Sequence, residues 1–136
     1  MTPEQLATIT HFAPNEWRHP EIVDYSAATF LNQLRGAYGG SLVLTSDGRT
    51  AAENAASPGS SPTSLHLLGR AFDLRWPGNE EAMWRFLEAF FRSLGWTPPP
   101  TVRPVELELV HSAQDQHVHF GFFPNQRPSR LIVAAD

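Results

Sequence analysis

The chain has 136 residues, 41% of them hydrophobic, with four Trp and nine Phe, enough apolar bulk for one core and for one expected domain over residues 1–136. A net charge of −4, with every basic residue an Arg and none a Lys, argues against a general nucleic-acid surface. The absence of Cys excludes thiolate metal sites, disulfides and a cysteine nucleophile.

Residues Met1 to Leu6 carry no basic segment followed by an apolar run, so no signal peptide is expected. No stretch is apolar for long enough to span a bilayer. The expectation is a monomer made in the cytoplasm. A substrate outside it would be reached by lysis or through a secretion machine.

His11 to Trp17 reads as a turn with two aromatic anchors. Asp24 or Ser26 caps a helix running to about Arg35, with Phe30, Leu31 and Leu34 on its buried face, and Gly36, Gly39 and Gly40 end it. Ser41 to Thr45 reads as a short buried strand. Ser46 to Ser64, rich in Ser, Gly, Pro and Ala, is expected to be a long loop.

Gly69 to Arg75 suits a strand with Ala71, Asp73 and Arg75 on one face and Phe72 and Leu74 on the other. Asn79 caps a second helix through about Leu94. Glu80 and Glu81 lie in its first turn, Met83, Phe86, Leu87, Phe90 and Leu94 form its stripe, and Gly95 stops it. The Trp84, Phe86, Phe90 and Phe91 cluster is read as core.

Pro98 to Pro100 is a stiff connector. Val105, Leu107 and Leu109 alternate with Glu106 and Glu108, which predicts a half-buried strand with the glutamates on its wet face. Gln116 to Phe122 alternates too, with Val118, Phe120 and Phe122 toward the core and His117, His119 and Gly121 opposite. Leu131 to Ala134 adds a last strand. The sum is an α+β domain, a mainly antiparallel sheet with helices packed on one side.

The chemistry concentrates at His66, at Asp73 seven positions later, and at the distant His117-x-His119. Imidazole nitrogen and carboxylate oxygen are zinc ligands, and three of them with a fourth position open to water make a catalytic site. Asp73 and His119 on neighbouring strands can share a face, with His66 arriving from the loop before. Gly69 and Ala71 leave room there. His117, on the same face, can move protons, and Arg49 can hold a carboxylate or carbonyl oxygen. His11, His19 and His111 are read as structural or surface residues.

Ser64-x-His66-x-x-Gly69-x-Ala71-x-Asp73 resembles the signature of the D-Ala-D-Ala metallocarboxypeptidase family of zinc peptidases. That family includes the L-alanyl-D-glutamate endopeptidases of phage lysis and shares its fold with the hedgehog signalling domain. Leu44 to Thr50 with Glu53-Asn54 is similar to the family's Thr-Ser-Gly-Tyr-Arg-Thr segment. His11 to Trp17 resembles its Phe-x-x-x-Glu-aromatic element. The likeness runs from about Phe12 to Phe120. It implies a Zn2+ cofactor held by His66, Asp73 and His119, with Arg49 stabilising the tetrahedral intermediate and His117 assisting proton transfer. The implied substrate is a peptidoglycan peptide.

This chain departs from the pattern in three places. The acid three residues before the last ligand is here Gln116, an amide that takes no proton; Asp115, Glu108 or His117 would have to act instead. Asp47-Gly48 replaces Gly-Tyr ahead of Arg49. Some relatives have a single His followed by x-Asp, which would align His117 as the ligand, although His119 is favoured. The expected activity is a peptidase acting next to a D-amino acid, as carboxypeptidase or endopeptidase. The rivals are a catalytically impaired zinc-bearing domain that binds murein peptide or a protein partner, and a metal-free structural protein on the same fold.

Overall fold

The strict alternation in β4 (His117–Phe122) organises the molecule. Val118, Phe120 and Phe122 are fully buried on one face, and His117 and His119 are half-buried on the other. The computed structural model describes residues 1–38, 42–57, 61–75, 80–93, 105–110 and 117–122. Within them β1 (Val43–Ser46), β2 (Ala71–Arg75), β3 (Val105–Val110) and β4 form one sheet in the order β1-β2-β4-β3, every pair antiparallel. The α+β class and the antiparallel sheet agree with the sequence reading.

Two long helices cover the apolar face. After a single turn, α1 (Pro3–Leu6), Asp24 caps α2 (Tyr25–Tyr38): its carboxylate accepts from the Ala27 N–H at 3.0 Å. Phe30 of α2 packs on Phe122 with ring centroids 4.9 Å apart and on Phe120 at 6.2 Å. In α4 (Glu80–Ser93) Met83 and Leu87 are buried, and Phe90 meets Phe30 at 5.8 Å. Each such ring or aliphatic chain contributes about 1.5–3 kcal/mol by leaving water. The N-terminal turn is as expected, with Phe12 and Trp17 buried and their rings 5.2 Å apart.

Several expectations need correction. The helix does not stop at Gly36 but runs to Tyr38. There the missing side chain serves packing: a Cβ on Gly36 would lie 2.7 Å from His11 Nε2. The segment from Ser46 to Ser64 is not all loop, because Thr50 and Glu53 form a capping box that starts α3 (Ala51–Ala56). Among the described residues β1 is an outer strand, not a buried one, with Val43 46% exposed. Nor are all the helices on one side. α2 and α4 cover the apolar face, whereas α3 packs against a 3-10 turn, Leu65–Leu68, that rests on the opposite face of β2 and β4. Asn79, Leu94, Gly95, Pro98 to Pro100 and the strand expected at Leu131 to Ala134 lie outside the described residues.

Gly69 closes that 3-10 turn at φ 66°, and a Cβ there would sit 2.0 Å from the Ile22 carbonyl oxygen and 2.6 Å from Val23 Cα. Both the left-handed conformation and the backbone contact exclude a side chain. Gly69→Ala is expected to cost at least about 2 kcal/mol in urea unfolding. Gly36→Ala, which meets only the movable end of His11, should stay within about 1 kcal/mol of the parent.

Candidate metal centre

The spacing from Ser64 to Asp73 becomes geometry in two steps. Ser64 caps the 3-10 turn, its Oγ accepting from the His66 N–H at 3.3 Å. Gly69 then reverses the chain into β2, whose period of two puts Ala71 and Asp73 on the face away from the apolar core. Ala71 is the cross-strand partner of Gly121, and a Cβ on Gly121 would lie 3.0 Å from both Ala71 Cβ and Leu65 Cδ1. Two small residues therefore let Leu65 rest on the sheet, which brings His66 down to Asp73.

His66 Nε2 lies 3.2 Å from Asp73 Oδ1, and His119 Nδ1 lies 2.9 Å from the same oxygen. Asp73 and His119 are direct cross-strand partners. The three ligand atoms all fall within 4.8 Å of one another, so this group could hold a metal ion. A tetrahedron with metal–ligand bonds of about 2.0–2.1 Å has edges of about 3.3 Å, close to the observed spacings. Two imidazoles and one carboxylate are the donor set of a site that keeps one position open.

The orientation of His66 supports the fit. Its Nδ1 lies 2.6 Å from the backbone oxygen of Asp47, which can only accept, so Nδ1 carries the proton. In the neutral ring, Nε2 and Asp73 Oδ1 are then two acceptors facing each other. A shared cation satisfies both.

Burial of Asp73, 6% exposed, pushes its carboxyl pKa up, but without a metal the doubly protonated rings of His119 and His66 would donate to it and hold it well below the usual carboxylate range, a role that a bound cation takes over. Arg49 takes the second carboxylate oxygen, Nη2 to Oδ2 at 3.2 Å. Its other donors reach Ser46 Oγ at 3.3 Å and Asn54 Oδ1 at 3.5 Å, and its backbone N–H donates to the His66 carbonyl at 3.0 Å. His117 Nε2 lies 3.8 Å from Asp73 Oδ1, beside the group and not within it. The structure thus gathers His66, Asp73, His119, Arg49 and His117 around one carboxylate. Asp115 and Gln116 fall outside the described residues.

Asp47 is the residue that sequence reasoning passed over. Its carbonyl orients His66, and its buried carboxylate accepts from the backbone N–H of Arg18 at 2.9 Å and of His19 at 3.3 Å. Burial pushes the Asp47 carboxyl up despite those bonds. A backbone carbonyl leaves no mark in residue type, and the only signal was the departure from Gly-Tyr. Gly48 follows from the same packing, since a Cβ there would lie 2.6 Å from Ile22 Cβ.

A family model for peptidase M15 matches residues 2–96. The chain belongs to the peptidase M15 family. M15 peptidases are zinc D-Ala-D-Ala carboxypeptidase-like enzymes and are generally zinc-dependent. The matched residues include Arg49, His66 and Asp73 but stop short of β4, so His119 joins His66 and Asp73 through the fold. No curated protein and no solved structure matches the chain. Among the described residues no helix is long and apolar enough to cross a membrane.

A peripheral clamp holds the Asp47 turn. His19 pairs through Nδ1 with Glu21 at 2.9 Å and through Nε2 with Glu53 at 2.8 Å. Both nitrogens face carboxylates, so the ring favours its protonated form, and the bonds to Glu21 and then Glu53 raise its pKa above 6.5. Backbone N–H donation at Thr50, then His19, lowers Glu53 to about 2. A raised His contributes stability below its unfolded value and loses it as pH climbs through the folded one. A lowered Glu contributes above its unfolded value of 4.5 and loses it toward about 2. The melting-temperature gap between the parent and His19→Gln should therefore be largest between about pH 4.5 and 6.5 and shrink as pH rises above that range.

Proposed function

We propose that this M15 member is a zinc peptidase that hydrolyses peptide bonds in bacterial cell-wall peptides, as carboxypeptidase or endopeptidase, next to a D-amino acid, on a hedgehog-like fold. The observation that carries the reading is the convergence of His66 Nε2 and His119 Nδ1 on one oxygen of Asp73, in a peptidase-family chain. Zinc, when bound, supplies Lewis-acid polarisation and activation of water.

The chain's own residues divide the remaining work. Asp73 anchors the site with one oxygen and keeps Arg49 in place with the other. Arg49, about one-fifth exposed, has its guanidinium at the edge of the group, where it would hold a substrate oxygen as negative charge develops. His117, similarly exposed, has an imidazole near the reacting centre that would pass a proton to the leaving amine. Asp47 keeps His66 in the tautomer that presents Nε2.

Gln116 favours a second reading, a domain that binds zinc and murein peptide without turnover, because an amide cannot serve as the base. The two readings separate in one assay on purified murein peptides with zinc content measured in parallel. The peptidase reading predicts cleavage by the parent and its loss with a chelator, restored by zinc. His66→Ala and Asp73→Ala should lose both zinc and activity. Arg49→Ala should keep zinc while kcat falls about 10²–10³-fold, and His117→Ala should keep zinc with a loss of about 10²-fold or more. Zinc in the parent without cleavage would favour the binding domain, and no zinc after reloading would overturn both.

A further inference from the structure

One tripeptide grips His66 at two points. The Asp47 carbonyl oxygen lies 2.6 Å from His66 Nδ1, and the Arg49 backbone N–H donates to the His66 carbonyl at 3.0 Å. The position of residues 47–49 therefore decides which way the imidazole turns. A ligating histidine depends on such an outer partner, because the bond at one ring nitrogen fixes the tautomer and the aim of the other.

A backbone carbonyl is as well placed as the turn that carries it, and Asp47 supplies the anchor for its own turn. Its carboxylate, on a residue 1% exposed, accepts the backbone N–H of Arg18 at 2.9 Å and that of His19 at 3.3 Å. Gly48 adds close packing, since a Cβ there would lie 2.6 Å from Ile22 Cβ and 3.3 Å from the His19 carbonyl oxygen. The same strap, residues 18–24, also reaches the far end of the His66 turn. The Ile22 carbonyl and Val23 Cα lie against Gly69, and the Asp24 N–H donates to the Gly69 carbonyl at 2.9 Å. The strap thus braces His66 from both sides, through the tripeptide and through the glycine that closes its turn. Arg18 and His19 fasten the strap in turn, pairing with Glu53 at 3.1 and 2.8 Å.

Any residue at position 47 would offer the carbonyl. A side-chain acceptor short enough to meet the strap from there is a feature of this residue type. The side chain faces the strap while the carbonyl of the same residue faces the imidazole, so one residue links the two. We propose that the Asp47 carboxylate is a positioning group of the metal centre: it ties residues 47–49 to the strap and so holds His66 with Nε2 toward Asp73. The inference rests on the zinc reading above and deepens it. Residues 18–24, which carry no member of the metal group, become part of what sets metal affinity. The rival is a carboxylate that serves folding alone, holding the backbone of Arg18 and His19 with no effect on His66.

The experiment compares the parent with Asp47→Ala, Asp47→Asn and Leu87→Ala. The last removes a buried side chain of α4, on the other face of the sheet, and lowers stability without touching the turn. One readout is zinc affinity by chelator competition, at a temperature where circular dichroism shows the variants folded. The other is the nitrogen and proton NMR signal of the His66 ring in metal-free protein. Asp47→Ala should bind zinc about 10–100-fold more weakly, and its His66 Nδ1 proton should lose the downfield shift of a short hydrogen bond. Asp47→Asn, which keeps an acceptor oxygen, should recover part of both. Leu87→Ala should bind zinc as the parent does. Either readout unchanged in Asp47→Ala would overturn the proposal and leave the zinc reading intact. A comparable loss of affinity in Leu87→Ala would do the same, by making stability the cause. If Asp47→Ala does not fold, the Asn variant decides: weaker binding with a shifted ring signal supports the proposal, and parent-like values overturn it. A parent that takes up no zinc overturns the zinc reading and this inference together.

Discussion

A buried, ionised carboxylate is the constraint around which this protein is built. Asp73 sits near the middle of the sheet with only 6% of its surface exposed. An isolated charge there would cost many kcal/mol, and such groups persist only when paired and hydrogen-bonded. The chain gathers His66, His119, Arg49 and, slightly farther out, His117 onto the two oxygens of this one side chain. That convergence partners the charge and also forms a group that could hold a metal ion. The same arrangement that makes the carboxylate tolerable suits it to the ligand role proposed for it.

The geometry depends on small residues as much as on donors. Gly69 turns the chain where any side chain would meet the backbone of Ile22 and Val23, and the Ala71–Gly121 pair leaves the space that Leu65 fills. The spacing Ser64-x-His66-x-x-Gly69-x-Ala71-x-Asp73 is thus a description of packing: cap, imidazole, reversal, clearance, carboxylate. Its distant half, His119, comes from the alternation of β4, which sends Phe120 into the core and the histidine to the other face. The family match ends at residue 96, and tertiary pairing of β2 with β4 completes the group.

Much of this was legible in the chain. Periodicity placed both long helices and the faces of β2 and β4, because one buried face enforces those patterns, and it also placed Val105 to Leu109 as a strand. Local signals failed where tertiary packing outweighed them. Gly36 read as a helix stop, yet α2 continues because its apolar face is covered, and the glycine serves His11 instead. The capping box at Thr50 and Glu53 was masked by a loop-like composition. The Asp47 carbonyl was invisible, since any residue type offers one, and the direct pairing of Asp73 with His119 appears only once strand register is known.

The most direct test of the central claim is anomalous X-ray scattering at the zinc edge from crystals of the zinc-loaded protein. The account predicts a single peak about 2.0–2.2 Å from each of His66 Nε2, Asp73 Oδ1 and His119 Nδ1, with the fourth position taken by a non-protein ligand. A peak bound by His117 in place of His119, or none at this group in zinc-loaded crystals, would contradict it.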